Sequence, residues 1–568
     1  MPLPSTCLLK FQIGPVQDFI AQARSTRDLW SASYLLSWLI AAGTRKLIAQ
    51  GGSLIFPDPK GQPLLDASGS WRYLVNQHGL LTPNLPNIFV AEVPAEQAAG
   101  IAGSVKSEIE DEWKSISGAC YRALIGQHIL EAAQEMAFKA QVETFLSISW
   151  QITPRSDDYT GDYRRNGKHL DAVRQTRDFD ARVIDLSTPA NEKDSLSARD
   201  TSIISGSDAL RMSIRNQDYR NLLKHDDHLS AITLVKRVWH LAYLVAEKHL
   251  HADSARFAIR STRAIAARSD ELDDEDDTDV APGDKYLAAI AFDGDSIGKW
   301  VNGDDLAPGV DLRTHHTAFS AALSDFALIR VRDIVDSNDG FLIYAGGDDV
   351  VALTPADVAL ACANELREAF RMATASIKNK DGNCPDASAG IAIAHFKAPL
   401  QDLIRAAQAA EKNAKNEVGR PAFSITLMKR SGEISLWGAK WGDHATGLHD
   451  AVFKAMTDGS LRAKFPHRVC QLLEPYLTVR TGISKQADAI DAATARDLIA
   501  KEFGFAATRQ GSQAIAALLA APLGAYLNQL KDDPQTLFTS IIGLCTTLAF
   551  ADRNRKAPPT AVMQSTAV

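Results

Sequence analysis

Cysteine is scarce and unpatterned in this chain: there are six in 568 residues, at Cys7, Cys120, Cys362, Cys384, Cys470 and Cys545. No Cys-x-x-Cys pair occurs, so neither a disulfide framework nor a zinc knuckle is indicated, and reduced, mostly buried thiols are the simplest reading. No long uninterrupted apolar stretch of membrane-spanning length stands out, and the opening Met-Pro-Leu-Pro-Ser-Thr lacks a basic region followed by an apolar one. The expected location is the cytoplasm, with no membrane partner. Positive charge is not in excess either. The net charge is −8, whereas a protein that gripped nucleic acid over its whole surface would be basic, so any RNA contact is local or shared with partner subunits. Much of the acidity sits in one run, 270–279, which holds eight acids and no base. Followed by Ala281-Pro-Gly-Asp284, it reads as a solvated linker at a domain boundary.

What the chain does have is length enough for roughly three to five domains, and one unusual run, Phe341-Leu-Ile-Tyr-Ala-Gly-Gly-Asp-Asp-Val-Val-Ala-Leu353. Two glycines and two aspartates between apolar stretches of strand type describe a hairpin with carboxylates at its tip. Gly346 and Gly347 leave room for a ligand to approach. Upstream, the apolar run Tyr286–Phe292 ends in Asp293-Gly-Asp-Ser-Ile-Gly-Lys299, so a second strand also delivers carboxylates at its end. Mg²⁺ takes a few carboxylate oxygens together with phosphate and water, and a metal pair clamps both oxygens of an in-line displacement. The two strands therefore read as a two-metal phosphoryl-transfer site, with Asp293 and Asp348 as shared ligands. Asp295 and Asp349 are open to three roles: metal ligand, ligand orienter or turn cap. Taken alone, Gly-Gly-Asp-Asp also suits an ordinary type I′ hairpin turn.

The order of elements occurs twice. A strand at 286–292, a helix near 315–335, the hairpin 341–353, a helix from about Pro355 to Ile377 and a strand Ala387–Ala394 make β-α-β-β-α-β, a ferredoxin-like palm. An earlier copy has a strand Leu8–Ile13, a helical stretch to about Gln50, strands near Ser53–Phe56 and Ile88–Val93, further helix to about Ala140, and a strand Val142–Ile152. Its hairpin has no aspartate pair. The fold class is thus α+β: a first, degenerate palm over 1–153, a mostly helical middle domain over 154–268, the acidic linker 269–284, a second, catalytic palm over 285–440, and a helical bundle over 441–568. Within the middle region, residues 155–182 interleave seven basic residues with six aspartates and read as a mixed solvated loop. His225-Asp-Asp-His228 reads as an N-cap or solvated turn. The bundle is expected to break near Pro466, Pro475, Pro522 and Pro534.

These residues carry a resemblance. Phe11-Gln-Ile-Gly-Pro-Val-Gln-Asp-Phe-Ile20 and Ala23-Arg-Ser-Thr-Arg-Asp-Leu-Trp-Ser-Ala-Ser33 resemble the opening of the large subunit of type III-B (Cmr-type) CRISPR effector complexes. Leu229–Arg237, Asp293-Gly-Asp, Gly346-Gly-Asp-Asp349, Ser388–His395 and Ala414-Lys-Asn-Glu417 are similar to later segments of that family, in order, to about residue 440. The palm motifs alone also suit GGDEF-type cyclases; the N-terminal pattern is more specific.

The resemblance implies synthesis of cyclic oligoadenylates from ATP once guide RNA pairs with target RNA, with other subunits of the complex as partners and Mg²⁺ (or Mn²⁺) as cofactor. By position, Asp293, Asp348 and Asp349 would form the metal-binding acidic cluster, with the Gly294 carbonyl as a further ligand. Asp295, Ser296, Gly298, Lys299, Gly346 and Gly347 would border the nucleotide, the amides after Ser296 cradling its triphosphate. Lys415 would reach a phosphate; the alternative is a solvated lysine on an exposed helix face. A second ATP would lie on the first palm near Gly14, Gln17, Arg24 and Arg27, whose alternative is a helix start with surface salt bridges. Two departures from the family stand out. The first palm begins within ten residues of the start, so its HD nuclease domain is expected to be absent. Lys193-Asp-Ser-Leu-Ser-Ala-Arg199 looks like a remnant of its zinc motif, with Asp194 and Ser197 in cysteine places, so no zinc is expected. The C-terminal helices would dock against small subunits. The competing readings are a catalytically silent scaffold of the same complex, and a GGDEF-like cyclase or adenylyl ligase with another product.

Overall fold

A computed structural model describes residues 5–65, 82–176, 192–248, 259–269, 285–304, 306–442, 444–477 and 490–553. Nearly all of the acidic linker, 270–284, lies outside the described residues. The first sheet contains β1 (Thr6–Gly14), β2 (Ser53–Phe56), β3 (Ile88–Pro94) and β4 (Ser147–Pro154), in the order β2-β3-β1-β4. The pairs are antiparallel. This is the ferredoxin-like order. One face of β1 presents Leu9, Phe11 and Ile13 to the helices Thr26–Ala49 and Ala98–Gly126. Ser25 starts the first helix with a capping box: its hydroxyl accepts from the Asp28 amide at 3.1 Å, and the Asp28 carboxylate accepts from the Ser25 amide at 3.3 Å.

Two expectations here are corrected. The last strand does not start at Val142, which instead closes the helix Glu135–Glu143, where its carbonyl accepts from Trp113 Nε1 at 2.9 Å. The stretch after it is not a loop: Tyr159–Gln175 is a helix capped by Asp158, whose carboxylate accepts from the Gly161 amide at 2.9 Å. Tyr159, Tyr163, Asn166 and Leu170 form its buried stripe, a helical period hidden among charges. Residues 177–182 of the expected loop lie outside the described residues.

The middle region joins the first palm's core. A two-residue ribbon pairs β5 (Ile204–Ser205) with β6 (His228–Leu229). Asp194, 1% exposed, organises the turn beside it by accepting from the amides of Leu196, Ser197 and Ser230 at 2.8, 2.9 and 2.7 Å. Ser230 then caps the helix Ala231–Trp239, all of whose residues are buried. The His225–His228 cluster is thus neither that cap nor one solvated turn. His225 is exposed, whereas Asp227 is fully buried and paired with Arg24 at 2.8 Å and Arg237 at 2.5 Å.

The second sheet contains β7 (Tyr286–Gly294), β8 (Phe341–Ala345), β9 (Asp349–Pro355), β10 (Ala387–His395), β11 (Ala422–Met428) and β12 (Ile434–Lys440), ordered β12-β11-β10-β7-β9-β8. The β10-β7-β9-β8 part is the second ferredoxin-like unit, and β11 adds to β10 in parallel. Helices Leu312–Asp325 and Ala359–Ala373 pack on one face, the latter shorter than the expected Pro355–Ile377. Leu400–Asn413 packs on the other. The helices beyond Ala445 share one continuous apolar core with this sheet. Pro522 does not break them: it lies inside the helix Gln513–Gln529. Pro534–Arg553 is long and apolar enough to cross a membrane by length and composition, contrary to the sequence reading, but over half of it is buried against the other helices.

Candidate active site

β7 and β9 run antiparallel in a register that sets Asp293 directly opposite Asp349. β8 ends at Ala345, so Gly346, Gly347 and Asp348 form the hairpin tip, closed by the Gly346 amide donating to the Asp349 carbonyl at 2.8 Å. Only Gly347 there has positive φ, +107°. The tip is therefore not a type I′ turn, which needs positive φ at both central residues. Gly346 is required for another reason: a Cβ there would lie 1.8 Å from the Tyr344 hydroxyl. The tip is tied to the end of β7, where the Gly294 amide donates to the Asp348 carbonyl at 3.0 Å.

Electrostatics follow from this crowding. Burial first, and the Asp293 carboxylate second, push Asp348 up to about 6. Asp349 rises to about 8, from burial and then from Asp293, Asp348 and Glu411, although the residue itself is exposed to solvent at the tip, which weakens the burial contribution. Lys415 answers this negative charge. Its side chain is only 9% exposed, and its ammonium bonds Asp293 and, at 2.7 Å, Glu411. Burial opposes the lysine's charge, but bonds to Asp293 and Glu411 outweigh it and hold the pKa above the ordinary lysine value. The solvated-lysine alternative is thereby set aside. Glu411, four residues before Lys415, went unnoticed in the sequence; its i,i+4 spacing was the available signal.

Asp295 is directed to a clamp. It is 8% exposed, accepts from Ser388 Oγ at 2.8 and 3.0 Å, and pairs with Arg420 at 3.5 Å. Burial raises it to about 6 against the Ser388 bond. Ser296 is exposed with φ +55°, and Gly298 and Lys299 are exposed on the short helix Ile297–Asn302 that follows. His315 and His316 hold the end of that helix: their Nε2 atoms donate to the carbonyls of Trp300 at 3.0 Å and Val301 at 2.6 Å. His316 Nδ1 then accepts from the Tyr159 hydroxyl at 2.8 Å, which links the first palm to the loop after Asp293. Burial keeps His316 neutral, lowering it to about 4. Nothing in the sequence pattern marked this pair.

A cavity of about 210 Å³ opens beside the tip. The second palm contributes Gly346, Gly347, Asp348, Ile297 and Ser320 to its lining, and the first palm contributes Lys10, Phe56, Gln62 and Asn84. Gly14, Gln17, Arg24 and Arg27 are not among the lining residues. Gly14 pairs with Ser147 at the end of β1, Gln17 opens a short helix, Arg24 is bound to Asp227, and Arg27 lies in the first turn of Thr26–Ala49. Arg24 thus forms a salt bridge, but with a fully buried carboxylate rather than at the surface.

Among the described residues, no three His, Cys, Asp or Glu side chains are gathered closely enough to hold a metal by themselves. Mg²⁺ is commonly held by one or two carboxylates together with phosphate and water, so it does not require such a group. The all-oxygen donors of Asp293, Asp348 and Asp349, whose mutual repulsion a cation would relieve, fit such an ion.

Residues 286–424 match the family described as Cas10/Cmr2, second palm domain, and residues 8–118 match CRISPR-associated protein Cmr2, N-terminal. The CRISPR system Cmr subunit Cmr2 of Pyrococcus furiosus is 25% identical over 555 residues, covering 76% of this chain. Both matched stretches are thus similar to the Cas10/Cmr2 family. The chain spans 62% of the length of that curated relative. A structure of the type III-B Cmr-beta complex in the apo state contains a chain that is 13% identical, with a TM-score of 0.62 over 89% of this chain and 77% of that one. The same complex bound to cognate target RNA gives a TM-score of 0.62 over 88% and 78%. The likeness in fold extends well beyond the stretches matched to the Cas10/Cmr2 family, into the middle and C-terminal helices.

Proposed function

We propose that this chain is the large subunit of a cytoplasmic type III-B CRISPR complex and that, when guide RNA pairs with target RNA, it joins ATP into cyclic oligoadenylates with Mg²⁺ or Mn²⁺. The observation that carries this is the pairing of Asp293 with Asp349 across adjacent strands, beside Asp348 on a glycine-built tip that faces a cavity. Phosphoryl-type transfer needs mainly positioning and charge neutralisation. Asp293 and Asp348 would hold the metal with phosphate and water, Asp349 completing the acidic cluster, and the metal when bound would supply charge neutralisation at the phosphates. Lys415 anchors Asp293 and is the cation nearest that cluster, so it can turn to a phosphate when the carboxylates accept a metal. The triphosphate would lie at the exposed turn of Ser296, where the short helix Ile297–Asn302 begins. The Tyr159–His316–Val301 chain holds that loop against the first palm, and Asp295 fixes the end of β7 to β10.

The test uses the assembled complex with ATP and Mg²⁺, with and without cognate target RNA, and the mass of the small-molecule products. Cyclic oligoadenylates that appear only with target, and vanish in the Asp348→Ala/Asp349→Ala variant while the complex stays assembled, would support the proposal. Unchanged synthesis in that variant would exclude the site.

A further inference from the structure

Two cysteines that lie far apart in the sequence face each other between helices. The helix Phe465–Leu473 runs antiparallel to the last helix, Pro534–Arg553. Just past one end, Tyr476 stacks on Phe538 with ring centres 5.3 Å apart; near the other, His467 Nε2 lies 3.3 Å from Arg553 Nη2. Between these contacts the register sets Cys470 against the turn that carries Cys545. Cys470 Sγ is 3.8 Å from the Ile542 carbonyl oxygen and 3.9 Å from Thr546 Oγ1, on either side of Cys545, and the two thiols bond each other. Their surroundings differ. Cys545 is 0% exposed within the apolar cluster of the helices, whereas Cys470 is half-buried. The bond from Cys545, helped by Thr546, outweighs burial and pulls the Cys470 thiol below its ordinary value; the same bond and burial push Cys545 up. Cys470 is thus the sulfur that reaches the thiolate form and meets solvent, with a second sulfur behind it, the arrangement of a thiol poised beside a resolving cysteine.

We propose that Cys470 and Cys545 form a peroxide-sensitive modification site, where the two thiols close reversibly to a disulfide that staples the helix Phe465–Leu473 to the last helix. The Cys470 sulfur attacks one oxygen of hydrogen peroxide: an S–O bond forms, the O–O bond breaks, and the departing hydroxide takes the Cys470 proton. Cys470 becomes a sulfenic acid and one water leaves. The Cys545 sulfur then attacks that sulfur: the S–S bond forms, the S–O bond breaks, and the departing hydroxide takes the Cys545 proton as a second water. Two thiols have given two electrons to the peroxide, and a dithiol reductant returns them by exchange. The staple restricts the unfolded chain. Because these helices share one apolar core with the second sheet, it resists unfolding of that core as a whole.

The experiment treats the assembled complex with graded hydrogen peroxide, denatures it in N-ethylmaleimide, and reads the digested chain by mass spectrometry. The expected product is the Cys470 peptide joined to the Cys545 peptide, two hydrogens lighter than their sum. It should form at peroxide levels that leave Cys384, the other half-buried cysteine, still alkylated, and dithiothreitol should remove it. Oxidation should also raise the thermal midpoint of the chain, a shift that dithiothreitol reverses and that Cys470→Ser lacks. In Cys545→Ala, Cys470 should stop at the sulfenic acid and be trapped by dimedone. The cross-linked peptide is read on the unaltered chain, so the result stands even where a variant fails to assemble. Absence of that peptide at peroxide levels that already oxidise Cys384 overturns the proposal, as does Cys470 joined to any cysteine other than Cys545.

Discussion

At the residue scale, the site depends on small positions as much as on charged ones. Gly390 lies where the helix Leu400–Asn413 presses on β10, and a Cβ there would meet the Glu411 amide at 2.0 Å and the Ala407 carbonyl at 2.2 Å. Both are backbone atoms, so neither can rotate away. Gly390→Ala should therefore lift the helix that carries Glu411 and Lys415, destabilise the chain by about 1–3 kcal/mol as overpacking does, and lower nucleotidyl transfer more than nucleotide binding. Denaturant unfolding and steady-state turnover of the complex check the two effects. Lys236 gives a pH signature elsewhere. It is buried, donates to the carbonyls of Phe19 at 2.5 Å and Gln22 at 2.6 Å, and burial lowers its pKa from 10.5 to about 8 against the pull of Asp28. Between those values the unfolded chain holds the extra proton, so this group's contribution to stability rises with pH across that window and its burial penalty is complete below it. Wild type should gain stability relative to Lys236→Met as pH goes from about 8 to about 10, measured as the difference between their urea midpoints. Asp293, Asp348 and Asp349 were legible in the sequence because carboxylates at strand ends beside glycines form a local pattern. His316 was not, because it acts through a partner far along the chain.

At the scale of elements, the two ferredoxin-like units were readable from strand-helix periodicity. Their additions were not: β11 and β12 extend a sheet that already satisfied the motif, and the buried face of Tyr159–Gln175 is masked by surrounding charge. The ribbon β5-β6 shows why the middle region can be ordered through a carboxylate. Asp194 accepts from three amides of two separate segments, and the backbone bonds of that ribbon are few. Its pKa is held below the ordinary aspartate value because, although burial raises it, the Ser230 amide and its companions outweigh burial. Asp194→Ala should leave those buried amides unsatisfied and cost roughly 2–4 kcal/mol. Hydrogen exchange of the Leu196, Ser197 and Ser230 amides would then accelerate together while the β1 amides stay protected. Exchange that rises at Ser197 alone would mean that the carboxylate does not join the two segments.

At the scale of the whole molecule, the boundary expected near residue 440 separates motifs but not cores. Trp437 of β12 is 2% exposed and donates from Nε1 to the Tyr526 hydroxyl at 3.0 Å. A Cβ on Gly543 would touch the Leu436 carbonyl at 2.8 Å and the Trp437 Cβ at 3.0 Å, so the last helix lies directly on the sheet. Phe292, Ile391 and Phe423 of the palm belong to the same apolar cluster as Phe503, Leu523 and Leu544 of the helices. Composition alone reads these helices as a separate bundle because each has its own helical period, and period is blind to which surface a helix covers. A chain ending at Lys440 should therefore expose the face of β11 and β12 that the helices bury. The fragment 285–440 is expected to bind a hydrophobic dye and to melt without a cooperative transition, whereas 285–553 should unfold in one cooperative step. Two separate transitions in 285–553, the earlier one also present in 285–440, would show instead that the palm carries its own core. The same continuity runs across the sheet: β10, which carries Ser388 opposite Asp293, pairs with β11, and β11 with β12, so the strand that the outer helices cover and the strand beside the carboxylates belong to one sheet.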